Sequence, residues 1–203
     1  MVYADFLYIS ATGFLSPIFA VFLTSQVRGA TLADVGFATT LFWVVKSAVQ
    51  IPVSWYIDST PGEKDDYHLM LIGYLASCLV PLGYYFFVSE MWHVYLLEAM
   101  NGVAYALLAP SWLAIFTRHI DKHREGTEWT LYSNAVGLGF AATAALGGVL
   151  AERLGFRIIF LFVATLMFCG GLVLFHIRRK MDGLPPRAMV AVGLDEEREK
   201  QMR

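Results

Sequence analysis

Two ionisable residues, Lys46 and Glu98, fall inside stretches that are otherwise apolar, and they set the question of what chemistry this chain can do. Lys46 lies twelve residues from either Asp34 or Asp58. Trp43, Gln50 and Ser54 stand at helical spacing from it and give one face a polar stripe. Glu98 shares its side of a helix with Asn101, Gly102 and Tyr105. A charge held within a bilayer costs at least about 2.5–3.5 kcal/mol even on the lenient insertion scale, so it faces protein or a water-filled cavity. Reckoned from the outer ends of their segments, Lys46 is roughly 9 Å deeper than Glu98 at the rise of a helix. A lysine stem can cover much of that gap. Two readings stand open. Lys46, Gln50, Glu98, Asn101 and Tyr105 line a solvated pathway for a polar substrate, or Lys46 and Glu98 form a buried ion pair that only orients two helices.

Other chemistries find little to work with. His119, Asp121, His123 and Glu125 crowd one polar segment, which reads as a solvated loop before it reads as a metal site. Cys78 and Cys169 sit in apolar runs without metal-ligand spacing and are expected to be small buried hydrophobes. No arrangement of serine, cysteine or histidine suggests a nucleophile, so neither catalytic residues nor a cofactor is expected, and the chain is not read as an enzyme. A net charge of −2 argues against a nucleic-acid partner.

The elements that must position these residues are membrane spans. The 203 residues are 57% hydrophobic and only 16% charged, with a mean hydropathy of +0.55. That departs from the balance of a water-soluble domain, with its roughly 25% of charged residues, and implies lipid as solvent. Six segments are long and apolar enough to cross: about 6–26, 34–57, 69–88, 92–116, 129–150 and 157–177. Lipid demands that backbone groups be satisfied within each segment, so the spans are helices and the fold is all-α. The first run is too long for a signal-peptide core and has no basic flank before it, so it is read as a retained span. Thr31 with Asp34 has capping-box spacing ahead of the second span, and Thr127 is expected to cap the fifth. Pro81 and Pro110 can kink spans three and four. Ser10, Gly13, Ser16, Pro17 and Ala20 in the first span, and Gly137, Gly139, Gly147 and Gly148 in the fifth, are small or helix-bending residues suited to close packing. Trp92, Tyr95, Trp112 and Trp129 read as interfacial anchors.

Lys and Arg residues set the orientation. Seven of them (Lys64, Arg118, Lys122, Arg124, Arg178, Arg179, Lys180) fall on one side and three (Arg28, Arg153, Arg157) on the other. The richer side is expected to be cytoplasmic, which puts both termini there in a multi-pass protein of the cell membrane. From about residue 179 to 203 the chain turns polar, through Pro185-Pro186 into a charged run, and reads as a cytoplasmic tail.

Three further runs carry a family resemblance. After the second span stands Ser54-Trp55-Tyr56-Ile57-Asp58-Ser59-Thr60-Pro61-Gly62-Glu63-Lys64. Span four holds Glu98-Ala99-Met100-Asn101-Gly102 and then Ala109-Pro110-Ser111-Trp112, and span five ends Leu146-Gly147-Gly148 before Gly155-Phe156-Arg157. In order and spacing these resemble the N-terminal half of the major facilitator superfamily over residues 1–178. Asp58, Gly62 and Lys64 match that family's Gly-x-x-x-Asp-Arg-x-Gly-Arg-Lys loop, while Ser54 replaces its first Gly and its Arg is missing. Glu98 stands where the family has Arg, and Thr143-Ala144 where it has Gly-Pro. The resemblance implies a half-bundle of six helices in a three-plus-three inverted repeat, with spans one, two, four and five facing the pathway. It gives Asp58, Gly62, Lys64, Gly102, Pro110, Gly147 and Gly148 conformational rather than substrate-touching roles. A full transporter of that kind has twelve spans, so a homodimer or a second six-helix half is the expected partner, along with the lipid bilayer and a small-molecule substrate. The competing function is a non-transporting membrane subunit used for assembly or sensing.

Overall fold

The computed structural model describes residues 1–60 and 62–181, with side chains through residue 176. Its elements are seven helices: α1 (Val2–Leu15), α2 (Phe19–Gln26), α3 (Leu32–Ser59), α4 (Lys64–Phe86), α5 (Met91–Arg118), α6 (Glu125–Leu154) and α7 (Phe156–Met181). Five are long and apolar enough to cross a membrane singly, and α1 with α2 make a sixth crossing bent by 46°. Counting the bent pair as one span, the helices fall on the six apolar segments, with ends displaced by a few residues. The expected tail falls on residues 182–203, outside the described residues, and α7 runs on to Met181 where the last span was expected to end near 177.

The break in the first span follows from Pro17. A proline has no N–H to give the carbonyl four residues earlier, and its ring crowds that turn. Ser16 N–H still donates to the Thr12 carbonyl, but Ile18 N–H turns to Leu15, three residues back, before α2 restarts with Phe22 N–H on Ile18. Pro52, Pro81 and Pro110 lie inside continuous helices. The chain enters α3 through the expected capping box: Asp34 N–H donates to Thr31 Oγ1 at 3.3 Å and Thr31 N–H to Asp34 Oδ2 at 2.8 Å. Thr127 does not cap α6, because that helix begins two residues earlier with Arg124 in the cap position. Gly62, in the turn between α3 and α4, has φ of +125°, a conformation open to glycine and strained for other residues.

Packing follows the pairs α3 on α5, α4 on α5, α1 on α6, α4 on α7 and α1 on α7. Glycine lets the crossings close. A Cβ on Gly102 of α5 would stand 2.8 Å from the Phe42 carbonyl of α3, and one on Gly73 of α4 would stand 2.6 Å from the Ala104 carbonyl of α5. The seam between α1 and α6 depends on Gly13, Gly139 and Gly147, whereas Gly137 and Gly148 face open space. Tyr8, Met70, Tyr74 and Val163 centre one buried cluster, and Leu23, Tyr84, Val94 and Phe160 centre another. Tyr74 ties the first together, its hydroxyl donating to the Ala4 carbonyl at 2.9 Å.

Cover is uneven. Of the apolar windows, 56% is buried in α4 but only 6% in α3 and 11% in α6. Two expectations need correction on burial. Cys169 is exposed while Cys78 is buried. Trp112 is a core residue, 7% exposed, stacked on Phe116 and Tyr132 rather than anchored at an interface. Trp129 joins the same ring cluster, and only Trp92, 58% exposed, stands out as an anchor would.

Candidate functional site

The polar side chains of α3 and α5 fall into three groups along the crossing of these helices. At mid-depth, Gly102 allows the two backbones to touch, and this brings Tyr105 beside Lys46. The Lys46 ammonium lies 4.5 Å from the centroid of the Trp43 ring and 5.7 Å from that of Tyr105. Both rings present their electron-rich faces to the cation, a contact worth about 0.5–2 kcal/mol according to how dry it is. Of the two open readings, the ion pair with Glu98 does not form: the bridges within 4.0 Å among the described side chains include Arg118 with Asp66 and His119 with Glu63, and none joins Lys46 to Glu98.

Glu98, one turn outward on α5 and 8% exposed, takes a different partner. The Tyr84 hydroxyl of α4 donates to its Oε1 at 2.7 Å. Glu98 and Asn101 line a recess of 200 Å³ with Tyr8, Thr12 and Ser16 of the first span and Ser77 of α4. Most of its walls are aliphatic or aromatic. The recess opens where Ser16 is exposed, at the break between α1 and α2.

Toward the C-terminal ends of both helices, Gln50, Ser54 and Asp58 of α3 face Pro110, Thr117 and Arg118 of α5 across an open groove of 440 Å³. Arg118 also reaches Asp66, which is 1% exposed, and so fastens the start of α4 to the end of α5. Burying that carboxylate is tolerable only with its cation in place. Lys64 begins α4 and is exposed, next to the strained turn at Gly62. Gly147 and Gly148 lie apart from all three groups, on the α1–α6 side.

Sequence reasoning missed several of these groups. Tyr84 and Ser77 looked like ordinary residues of an apolar span, and nothing in a helical period ties position 84 to 98. Asp5, placed just outside the first span, is 9% exposed and accepts a hydrogen bond from the Tyr132 hydroxyl of α6. The Asp66–Arg118 bridge joins residues 52 apart, each looking like an ordinary flanking charge. Tyr95, expected as an anchor, donates to Asp34 Oδ1 at 2.8 Å and so links the outer ends of α5 and α3.

Comparison with known proteins follows from this geometry. A family model described as Major Facilitator Superfamily matches residues 2–193. An uncharacterised MFS-type transporter of Methanocaldococcus jannaschii is 27% identical over 154 residues, covering 76% of this chain and 38% of that protein. The multi-drug resistance efflux pump PmrA of Streptococcus pneumoniae is 24% identical over 129 residues, 64% of this chain and 31% of the pump. Among solved structures, a peptide transporter POT in complex with sulfate superposes with a TM-score of 0.71 at 14% identity, over 99% of this chain and 43% of that one. The chain thus spans less than half the length of each of these proteins.

Proposed function

The chain belongs to the major facilitator superfamily, and from that premise we propose that it forms one six-span half of a secondary transporter that moves a small polar solute by alternating access. Membership makes it a multi-pass membrane protein of a transporter family, with the bilayer as solvent and a small molecule as substrate. The finer reading rests chiefly on one observation. The polar groups at membrane depth lie along α3 and α5, and α3 together with α6 is left almost uncovered. On α3 the half-buried Lys46, Gln50 and Ser54 border an open face, an arrangement costly against lipid and cheap against a water-filled passage. A second half, either another copy of this chain or a different six-span unit, would cover α3 and α6 and close the passage between the two halves.

The pattern of packed helices supports a three-plus-three arrangement. Exchanging spans one, two and three with four, five and six turns the α3–α5 crossing into α1–α6 and the α4–α5 crossing into α1–α7, and leaves α4–α7 unchanged. In this reading Lys46, Gln50, Glu98, Asn101 and Tyr105 face the passage. Asp58, Gly62 and Lys64 shape the inner turn, and Gly102, Pro110, Gly147 and Gly148 belong to the helices that move. The bias of Lys and Arg puts both ends of the bundle in the cytoplasm of a cell whose outer limiting membrane holds the protein.

A cysteine placed at Gln50 tests this without knowledge of the substrate. In a background with Cys78→Ala and Cys169→Ser, Gln50→Cys should react with a membrane-impermeant maleimide from either face of sealed vesicles. Reaction from one face only, or from neither, would overturn alternating access at this position.

A further inference from the structure

We infer that Lys46 anchors a binding site for an organic anion, a carboxylate or sulfonate carried on a flat apolar body. The inference rests on the transporter reading above and gives the sign of charge that the passage accepts.

The starting point is that the two mid-membrane charges do not neutralise one another. Glu98 takes its hydrogen bond from Tyr84 within the recess. Among the described residues no carboxylate comes within 4.0 Å of the Lys46 ammonium. The acids of its own helix are twelve residues away in each direction, about 18 Å along the axis. Asp34 is engaged in addition by Thr31 and Tyr95. What Lys46 has instead is the faces of Trp43 and Tyr105. Aromatic faces attract a cation but carry no net charge, so they leave the ammonium without a counter-charge. Lysine has only donors and no acceptor, and in a low-dielectric passage an uncompensated ammonium concentrates anions.

The surroundings fit an amphipathic anion better than a small inorganic one. Trp43 is 53% exposed, a flat apolar surface beside the charge. It lines a shallow groove of 470 Å³ with Thr39, Thr40, Val44 and Ser47. Thr39 and Thr40 donate their hydroxyl protons to the Val35 and Gly36 carbonyls of their own helix and therefore offer an anion no donor. The donor for the charged end is Lys46 itself. A charged head at Lys46 and a ring laid along Trp43 would use both features.

Trp43 also reports on the site. In the full chain in lipid nanodiscs, the part of the fluorescence removed by Trp43→Phe should show an iodide-over-caesium quenching ratio about twice that of free N-acetyltryptophanamide, a preference that a positive local potential produces. Lys46→Met should erase that preference and Lys46→Arg should keep it, with unchanged circular dichroism and elution as proof of folding. Benzoate should protect Trp43 from iodide in the native chain but not in Lys46→Met, and benzylammonium should protect in neither. Quenching by neither ion, no preference for iodide, a preference that survives Lys46→Met, or no protection by benzoate would each overturn the inference. Loss of the iodide preference with two-sided labelling of Gln50→Cys intact would remove the anion site alone. The reverse pair of results would remove alternating access and leave the anion site.

Discussion

Gly147 and Gly148 are neighbours in α6, and the structure assigns them opposite sensitivities to one added methyl group. A Cβ on Gly147 would stand 2.4 Å from the Phe14 carbonyl oxygen and 3.0 Å from the Phe14 carbonyl carbon. These atoms are backbone, held in the last turn of α1 just before the Pro17 break, and cannot swing aside as a side chain would. A Cβ on Gly148 meets nothing within 4 Å. Either Gly→Ala change gains about 1 kcal/mol of helix propensity. At Gly147 the gain is opposed by overpacking, about 1–3 kcal/mol and at the upper end for a rigid obstacle. The net expectation is a loss of about 2 kcal/mol for Gly147→Ala and a gain of up to about 1 kcal/mol for Gly148→Ala. For a chain of this size that separates the apparent Tm values by about 6–12 °C. Intrinsic fluorescence during heating of the two purified variants, in the same detergent, reads the difference. Apparent Tm values within about 2 °C of each other would refute the proposed closeness of α1 and α6.

Three further outcomes follow from the same contacts. Arg118→Met strands the buried Asp66 carboxylate and should cost about 3–5 kcal/mol in denaturant unfolding, most of it recovered by adding Asp66→Asn. Tyr84→Phe removes the donor to Glu98 and should cost about 1.5–3 kcal/mol; combined with Glu98→Gln the total should fall short of the sum of the single changes, as a double-mutant cycle measures. Thr31→Ala removes the outer cap of α3 and should cost about 0.5–2 kcal/mol, with amide exchange faster only in the first turn of that helix.

The crossings were legible because lipid imposes a single requirement, about 20 apolar residues in a row, and charges mark where each run stops. The capping box was legible because Thr31 and Asp34 are neighbours in the chain. Contacts across the bundle were not. The period of a helix puts Glu98 on the same side as Gly102, but only packing decides that Tyr84 reaches its carboxylate before Lys46 can. Similarly, composition marked Gly137, Gly139, Gly147 and Gly148 as one set, and the direction each faces divides them. Trp112 was misplaced because aromatic residues near span ends are anchors only when they point outward, and three other rings already covered this one. Thr127 failed as a cap because Glu125 and Gly126 had already entered the helix.

The central claim is that six spans are half of the working unit, with α3 and α6 covered by the other half. Native mass spectrometry of the protein released from its own membrane, with bound lipid retained, tests this most directly. The account predicts a particle of twelve spans: two copies of this chain, this chain with a separate six-span partner, or one longer polypeptide that contains it. A folded particle holding these six spans alone, with α3 and α6 facing lipid, would contradict it.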